Sequence, residues 1–186
     1  MQTIYLVNRF LRQTILIFLC LVSSPVFANT KYSFFTDGNK LYILSSSKPN
    51  NKFIVPLTSE YVNWVVVDSF NRIGNDTYFA IFQREPSNPE QPEGFCGSGV
   101  ELWLHVYRMN ANGIDLVGNV LAGSCKQSFS MASLESGFPN SDKDYSSFRW
   151  NNFGFSLEWF SKKDERGNNI PKTFYSIKGN SICIER

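Results

Sequence analysis

What most constrains this chain is its punctuation. From position 32 onward the apolar residues come in short, often alternating runs, and turn-forming pairs break them at near-regular intervals: Asp37-Gly38, Gly74-Asn75, Asn112-Gly113, Gly167-Asn168 and Gly179-Asn180. Such pairs supply the positive φ that tight hairpins need, and strands cut to this length fit an all-β sandwich or barrel better than any helical fold. The expected strands are 32–36, 41–44, 53–57, 61–68, 77–84, 100–109, 114–120, 127–133, 153–161, 173–178 and 181–185. The expectation is therefore an all-β, mainly antiparallel meander, a single-domain sandwich or barrel-like fold over 29–186. One short helix within 114–135 is the departure allowed for, because Leu116, Val117, Val120 and Leu121 also fit a helical face.

Alternation assigns faces to these strands. Over 100–109, Val100, Leu102, Leu104 and Val106 point one way and are expected in the core, while Glu101, Trp103, His105 and Tyr107 point the other way. Phe153, Phe155, Leu157 and Trp159 repeat the pattern later in the chain. Tyr145, Phe148, Trp150 and Phe153 form an aromatic group that suits core or rim equally. With 42% hydrophobic and 16% aromatic residues there is enough apolar material to fill a core.

The first 28 residues read as a delivery address. Arg9 and Arg12 precede an apolar run from Ile15 to Val22, and Val26-Phe27-Ala28 ends the segment with a cleavage-type pattern. The apolar run is shorter than the roughly 20 residues a membrane span requires, so cleavage after Ala28 is expected and no stable membrane anchor is. The expected destination is periplasmic or extracellular. Of the 18 Lys and Arg residues, those two arginines fall in the leader, which carries no acid; the remainder balances at 16 basic against 16 acidic. Without a basic excess or a clustered basic patch, a nucleic-acid partner is not expected.

Cys96, Cys125 and Cys183 remain after the leader, so one internal bridge leaves one thiol over. Cys96–Cys125 is the favoured pair, because Gly97, Gly99 and Gly123 let backbones approach closely around it. Cys183 sits in an apolar terminal strand and is expected to behave as a small hydrophobe. Between strands lies the connector 85–99, which carries Glu85, Glu90 and Glu93 but no base. Its Pro86, Pro89 and Pro92 are spaced by three, the repeat of polyproline II.

Chemistry is tested most directly by what it needs. Gly94-Phe95-Cys96-Gly97-Ser98 resembles the nucleophile stretch of papain-like cysteine proteases, but an alternating strand follows where those enzymes start a helix, and the single histidine, His105, lies only nine residues on. His105 and Glu101 share a strand face about 13 Å apart, too far for a hydrogen bond. Gly-x-Ser-x-Gly, phosphate-loop and dinucleotide patterns are missing, and the cysteines do not have metal-site spacing. No cofactor, metal or enzymatic activity is expected; Glu101, Glu158 and Asp68 are the strand acids that a glycosidase-like pair would draw on.

The stretch Cys96-Gly97-x-Gly99-x-Glu101, followed by alternating apolar residues, resembles a pattern in small secreted proteobacterial proteins of unassigned function. By analogy, small secreted β-domains of this kind act as inhibitors or as immunity proteins against a toxin or envelope enzyme. The expected function is a protein-binding module of that type, meeting its partner through Glu90, Glu93, Glu101, Trp103, His105 and Tyr107. The alternative is a carbohydrate- or cell-wall-binding protein that stacks sugars on aromatics, with a carboxylate-based hydrolase as its catalytic form.

Overall fold

Each run between turn signals pairs with its sequence neighbour. In the computed structural model, which describes residues 32–37, 40–46, 48–57, 64–110 and 113–185, three antiparallel meanders follow one another. The first holds β1 (Tyr32–Asp37), β2 (Lys40–Ser45) and β3 (Lys48–Ile54). The second holds β4 (Trp64–Ile73), β5 (Asp76–Pro86), β6 (Val100–Asn110) and β7 (Gly113–Ser124). The third holds β8 (Phe148–Trp150), β9 (Gly154–Glu158), β10 (Lys172–Lys178) and β11 (Ser181–Glu185). The all-β expectation holds. The leader segment and Gly38 lie outside the described residues.

Turn chemistry sets the registers. Ile73 pairs with Asp76 and Lys178 with Ser181, so Gly74-Asn75 and Gly179-Asn180 are two-residue hairpin loops. Both glycines have positive φ, 61° and 63°, at the first central position, the arrangement of a type II′ turn. The β10–β11 ladder keeps one register throughout, whereas an irregularity between Val67 and Asn71 shifts the β4–β5 ladder farther from its turn.

The middle sheet explains the packing. Tyr78, Ala80 and Phe82 of β5, with Leu102, Leu104 and Val106 of β6, form one face and pack against Phe148, Phe155, Leu157 and Tyr175 of the third sheet. Phe79 and Ile81, with Tyr107 and Met109, form the opposite face and pack against Leu41, Ile43 and Val55 beside the first sheet. Aromatic rings join these two layers: Phe34 lies 5.1 Å from Phe70 and 5.6 Å from Phe79, and Phe79 stacks on Tyr107 at 5.1 Å. Fully burying one such side chain contributes about 1.5–3 kcal/mol, so a middle sheet covered on both faces concentrates the hydrophobic stabilisation in β5 and β6.

The expected strand 114–120 lies within β7, and the short helical departure allowed for in 114–135 is a 3₁₀ turn at Ala132–Glu135. Two expectations are corrected. Segment 127–133 forms no strand but touches the sheets through isolated bridges, Ser124 with Phe129 and Met131 with Trp159, because the chain turns at 125–128, where Ser128 has φ 54°. Phe153 does not share the core with Phe155, Leu157 and Trp159. It sits before β9 in the turn after β8, with its side chain 75% exposed.

Candidate functional site

At the end of the middle sheet where β5 leaves and β6 returns, Pro86 pairs with Val100 and the chain between them folds back on itself. It is not a polyproline II spacer. Polyproline II has no internal hydrogen bonds, whereas here the amides of Gln91, Gly94, Gly97 and Gly99 donate to the carbonyls of Asn88, Gln91, Gly94 and Cys96, a train of turns. The three-residue proline spacing has a different cause: Pro89 and Pro92 each occupy the second position of successive turns, where a φ near −65° is already the required angle.

Two glycines let this loop close. A Cβ on Gly97 would stand 2.0 Å from the carbonyl oxygen of Pro92, and one on Gly99 would stand 2.5 Å from the sulfur of Cys125. Neither position admits another residue without moving backbone or bond. Cys96, third in its turn, takes a φ of 58°, a region glycine usually occupies, and is bonded to Cys125 with a Cα separation of 5.8 Å. The expected disulfide is present. Asn88 Nδ2 donates to the carbonyl of Phe95 at 3.1 Å, fixing the far side of the loop.

The product is a rigid loop presenting one large apolar side chain. Phe95 is 76% exposed. Glu90 and Glu93 on the same loop are also exposed and, among the described residues, form no ion pair. Phe95 was not among the site residues expected from sequence. Its signal was an isolated aromatic between Gly94 and Cys96, in a turn-rich run where no periodicity offers it a core.

The other expected site residues fall elsewhere. Glu101 is a fastener: its Oε1 accepts from Ser87 Oγ at 2.6 Å and from the Lys126 amide at 3.3 Å, tying both flanks of the disulfide together. Trp103 is half-buried opposite Gln83 and Leu121. His105 is 3% exposed, and burial pushes its imidazole below the ordinary value, which favours the neutral form. Tyr107 is fully buried; its hydroxyl donates to the Pro56 carbonyl at 3.1 Å, and burial pushes its phenol up. His105 and Tyr107 are thus closed to a partner, because both are buried and the layer built around the first sheet covers Tyr107 and Phe79 from that side.

Two of the three strand acids are engaged by other groups. Glu158 is held by Lys172 at 3.0 Å, Glu101 is committed as above, and the side chain of Asp68 lies outside the described residues. Cys183 is a free, half-buried thiol. In the aromatic group, Phe148 is buried, Tyr145 and Trp150 pack on the core, and Phe153 faces solvent. No helix among the described residues is long and apolar enough to cross a membrane. No family model matches this chain, and neither a curated protein nor a solved structure matches it significantly.

Proposed function

We propose that this chain is an exported protein-binding module of the inhibitor or immunity kind, and that it meets its partner through loop 87–99. The observation that carries the reading is Phe95 held exposed on a loop braced by turns and a cross-link. Ordering a flexible side chain or loop on binding costs about 0.5–1.5 kcal/mol per immobilised side chain, and a loop already fixed avoids much of that cost. A phenylalanine entering an apolar pocket contributes about 1.5–3 kcal/mol. Glu90 and Glu93 beside it favour a partner whose pocket has a basic rim, and charges so placed act mainly on association rate and specificity. The leader-like N-terminus and the disulfide support an oxidising compartment, periplasmic or extracellular.

The test is capture from the native envelope by immobilised wild type, Phe95→Ala, Glu90→Gln/Glu93→Gln, and an exposed control, Glu165→Gln. The reading expects the control to retain the partner, Phe95→Ala to lose it, and the double variant to bind more weakly with less salt dependence. Equal recovery by all four rejects the loop as the interface.

A second reading, sugar binding, rests on a groove of about 560 Å³ lined by the exposed Phe153 and Phe174 together with Asn151, Lys178 and Glu185. Aromatic rings beside polar side chains suit a saccharide. Titration with peptidoglycan fragments, read at the Phe153 and Phe174 amides, tests it; unmoved signals at saturating sugar reject it.

A further inference from the structure

Beside the braced loop lies a cleft of about 470 Å³, within the size range of sites for small ligands and peptide segments. Cys125 lines it and is also the anchor of the loop, so the cleft adjoins the disulfide that braces the proposed interface. Buried Leu102 and Phe129 and exposed Val100 and Phe160 give it apolar walls. An occupant with an apolar side chain gains by covering Val100 and Phe160, which are the exposed ones.

The charges at the cleft point to the rest of the occupant. Arg84 is the basic residue in the lining, and its guanidinium already donates to the backbone carbonyl of Asp142, pinning the 3₁₀ turn Ser141–Lys143 at the edge of the cleft. Glu135 and Asp142 also line it, and neither carboxylate is in an ion pair among the described residues. Lys126, Lys143 and Lys162 are chain neighbours of lining residues but do not line the cleft themselves. The Lys162 ammonium lies 3.9 Å from the centre of the Trp159 ring and 4.9 Å from that of Phe129, engaged with those faces.

Hydroxyls supply the third element. Ser161 Oγ donates to the Ser128 carbonyl and Ser124 Oγ accepts from the Gln127 amide, whereas the hydroxyls of Ser128 and Ser130 are engaged by no other described group. Free hydroxyls at an apolar wall suit the amide groups of an extended backbone, which must keep hydrogen bonds when they leave water.

We infer that the cleft takes an extended peptide segment of the partner in which an apolar residue adjoins a lysine or arginine. Leu102, Phe129 and Phe160 cover the apolar side chain, Glu135 and Asp142 receive the cation, and the serines meet the backbone. This rests on the protein-binding reading but names a second contact, independent of Phe95.

The test uses the isotope-labelled protein and three probes: acetyl-Leu-Lys-Leu-amide, acetyl-Leu-Glu-Leu-amide and lysine amide. The lysine peptide is expected to shift the Ser124, Ser130 and Glu135 amides saturably, with affinity about tenfold above the glutamate peptide, a difference of about 1.4 kcal/mol. Glu135→Gln/Asp142→Asn, both exposed positions that should leave the fold intact, should remove that preference. Equal affinities of the two peptides, shifts mapping elsewhere, no shifts, or lysine amide binding as tightly as the peptide would each overturn the assignment. Phe95→Ala distinguishes the two proposals: it should abolish partner capture and leave peptide binding unchanged. Retained capture with intact peptide binding rejects the loop and keeps the cleft; lost capture with no peptide binding in wild type keeps the loop and rejects the cleft.

Discussion

Replacing Cys96 and Cys125 together by alanine removes the bond that closes a loop with a sequence separation of 29, without leaving a stray thiol behind. The chain-entropy relation gives about 12 cal/mol/K for a closed loop of about 30 residues, or about 3.6 kcal/mol at 25 °C. One effect subtracts from that. Cys96 is held at φ 58°, a conformation costing a residue with a side chain about 1–2 kcal/mol, and that strain relaxes once the link is gone. The flanking ties remain: the Ser87 amide still reaches the Gly99 carbonyl, and Glu101 still bridges Ser87 and Lys126. The expected net loss is about 2 kcal/mol, and for a domain of this size a melting temperature lower by about 4–8 °C. Urea unfolding followed by tryptophan fluorescence, with calorimetry alongside, measures both. The m-value should rise, since the unfolded chain expands when uncrossed. Amide shifts in the native variant should stay within about 86–101 and 123–129. A loss below about 0.5 kcal/mol, or loss of near-ultraviolet dichroism from the core, would refute the account of the bridge as a brace for the loop.

Phe79→Ala should cost about 3–5 kcal/mol in denaturant unfolding, because the ring is fully buried between Phe34, Phe70 and Tyr107; a cost under 1 kcal/mol would mean the first sheet does not cover that face. Gly97→Ala should displace the loop from the Pro92 carbonyl, seen as faster amide exchange at Gly94, Gly97 and Gly99; unchanged protection would refute the close approach. His105 makes stability depend on pH in a definite direction. Its folded value lies below the ordinary 6.5, so below that pH the unfolded chain takes up a proton the folded chain refuses, and stability falls with falling pH by at most about 1.4 kcal/mol per unit. His105→Gln should flatten the curve just below pH 6.5. The carboxylates of Asp144, Asp164 and Glu185, lowered by hydrogen bonds to Ser146, Asn168 and Ser176, lose their contribution only as pH falls below ordinary carboxylate values of 3.8 to 4.5, so the windows separate.

Part of the site was legible in the chain and part was not. The Cys96–Cys125 pair followed from the glycines around it, of which Gly97 and Gly99 are compelled by Pro92 and Cys125. The prolines misled, because a spacing of three serves a polyproline helix and a train of turns equally, and only the hydrogen bonds of Gln91 and Gly94 separate the two. Phe95 was passed over because patterning arguments look for periodic partners, and an exposed tip has none.

The sequence by itself determined the all-β class, most of the strands and the two hairpin turns at Gly74-Asn75 and Gly179-Asn180, since these depend on contacts a few residues apart. Tertiary structure alone decided which faces meet. The uninterrupted apolar run 78–82 was the one local sign of a strand covered on both sides, while Trp103, His105 and Tyr107 resemble a solvent-facing row. Whether such amphipathic side chains face water or a core depends on whether a distant segment brings a partner for the polar atom. Here Pro56 offers its carbonyl to Tyr107, and no alternation within β6 records that.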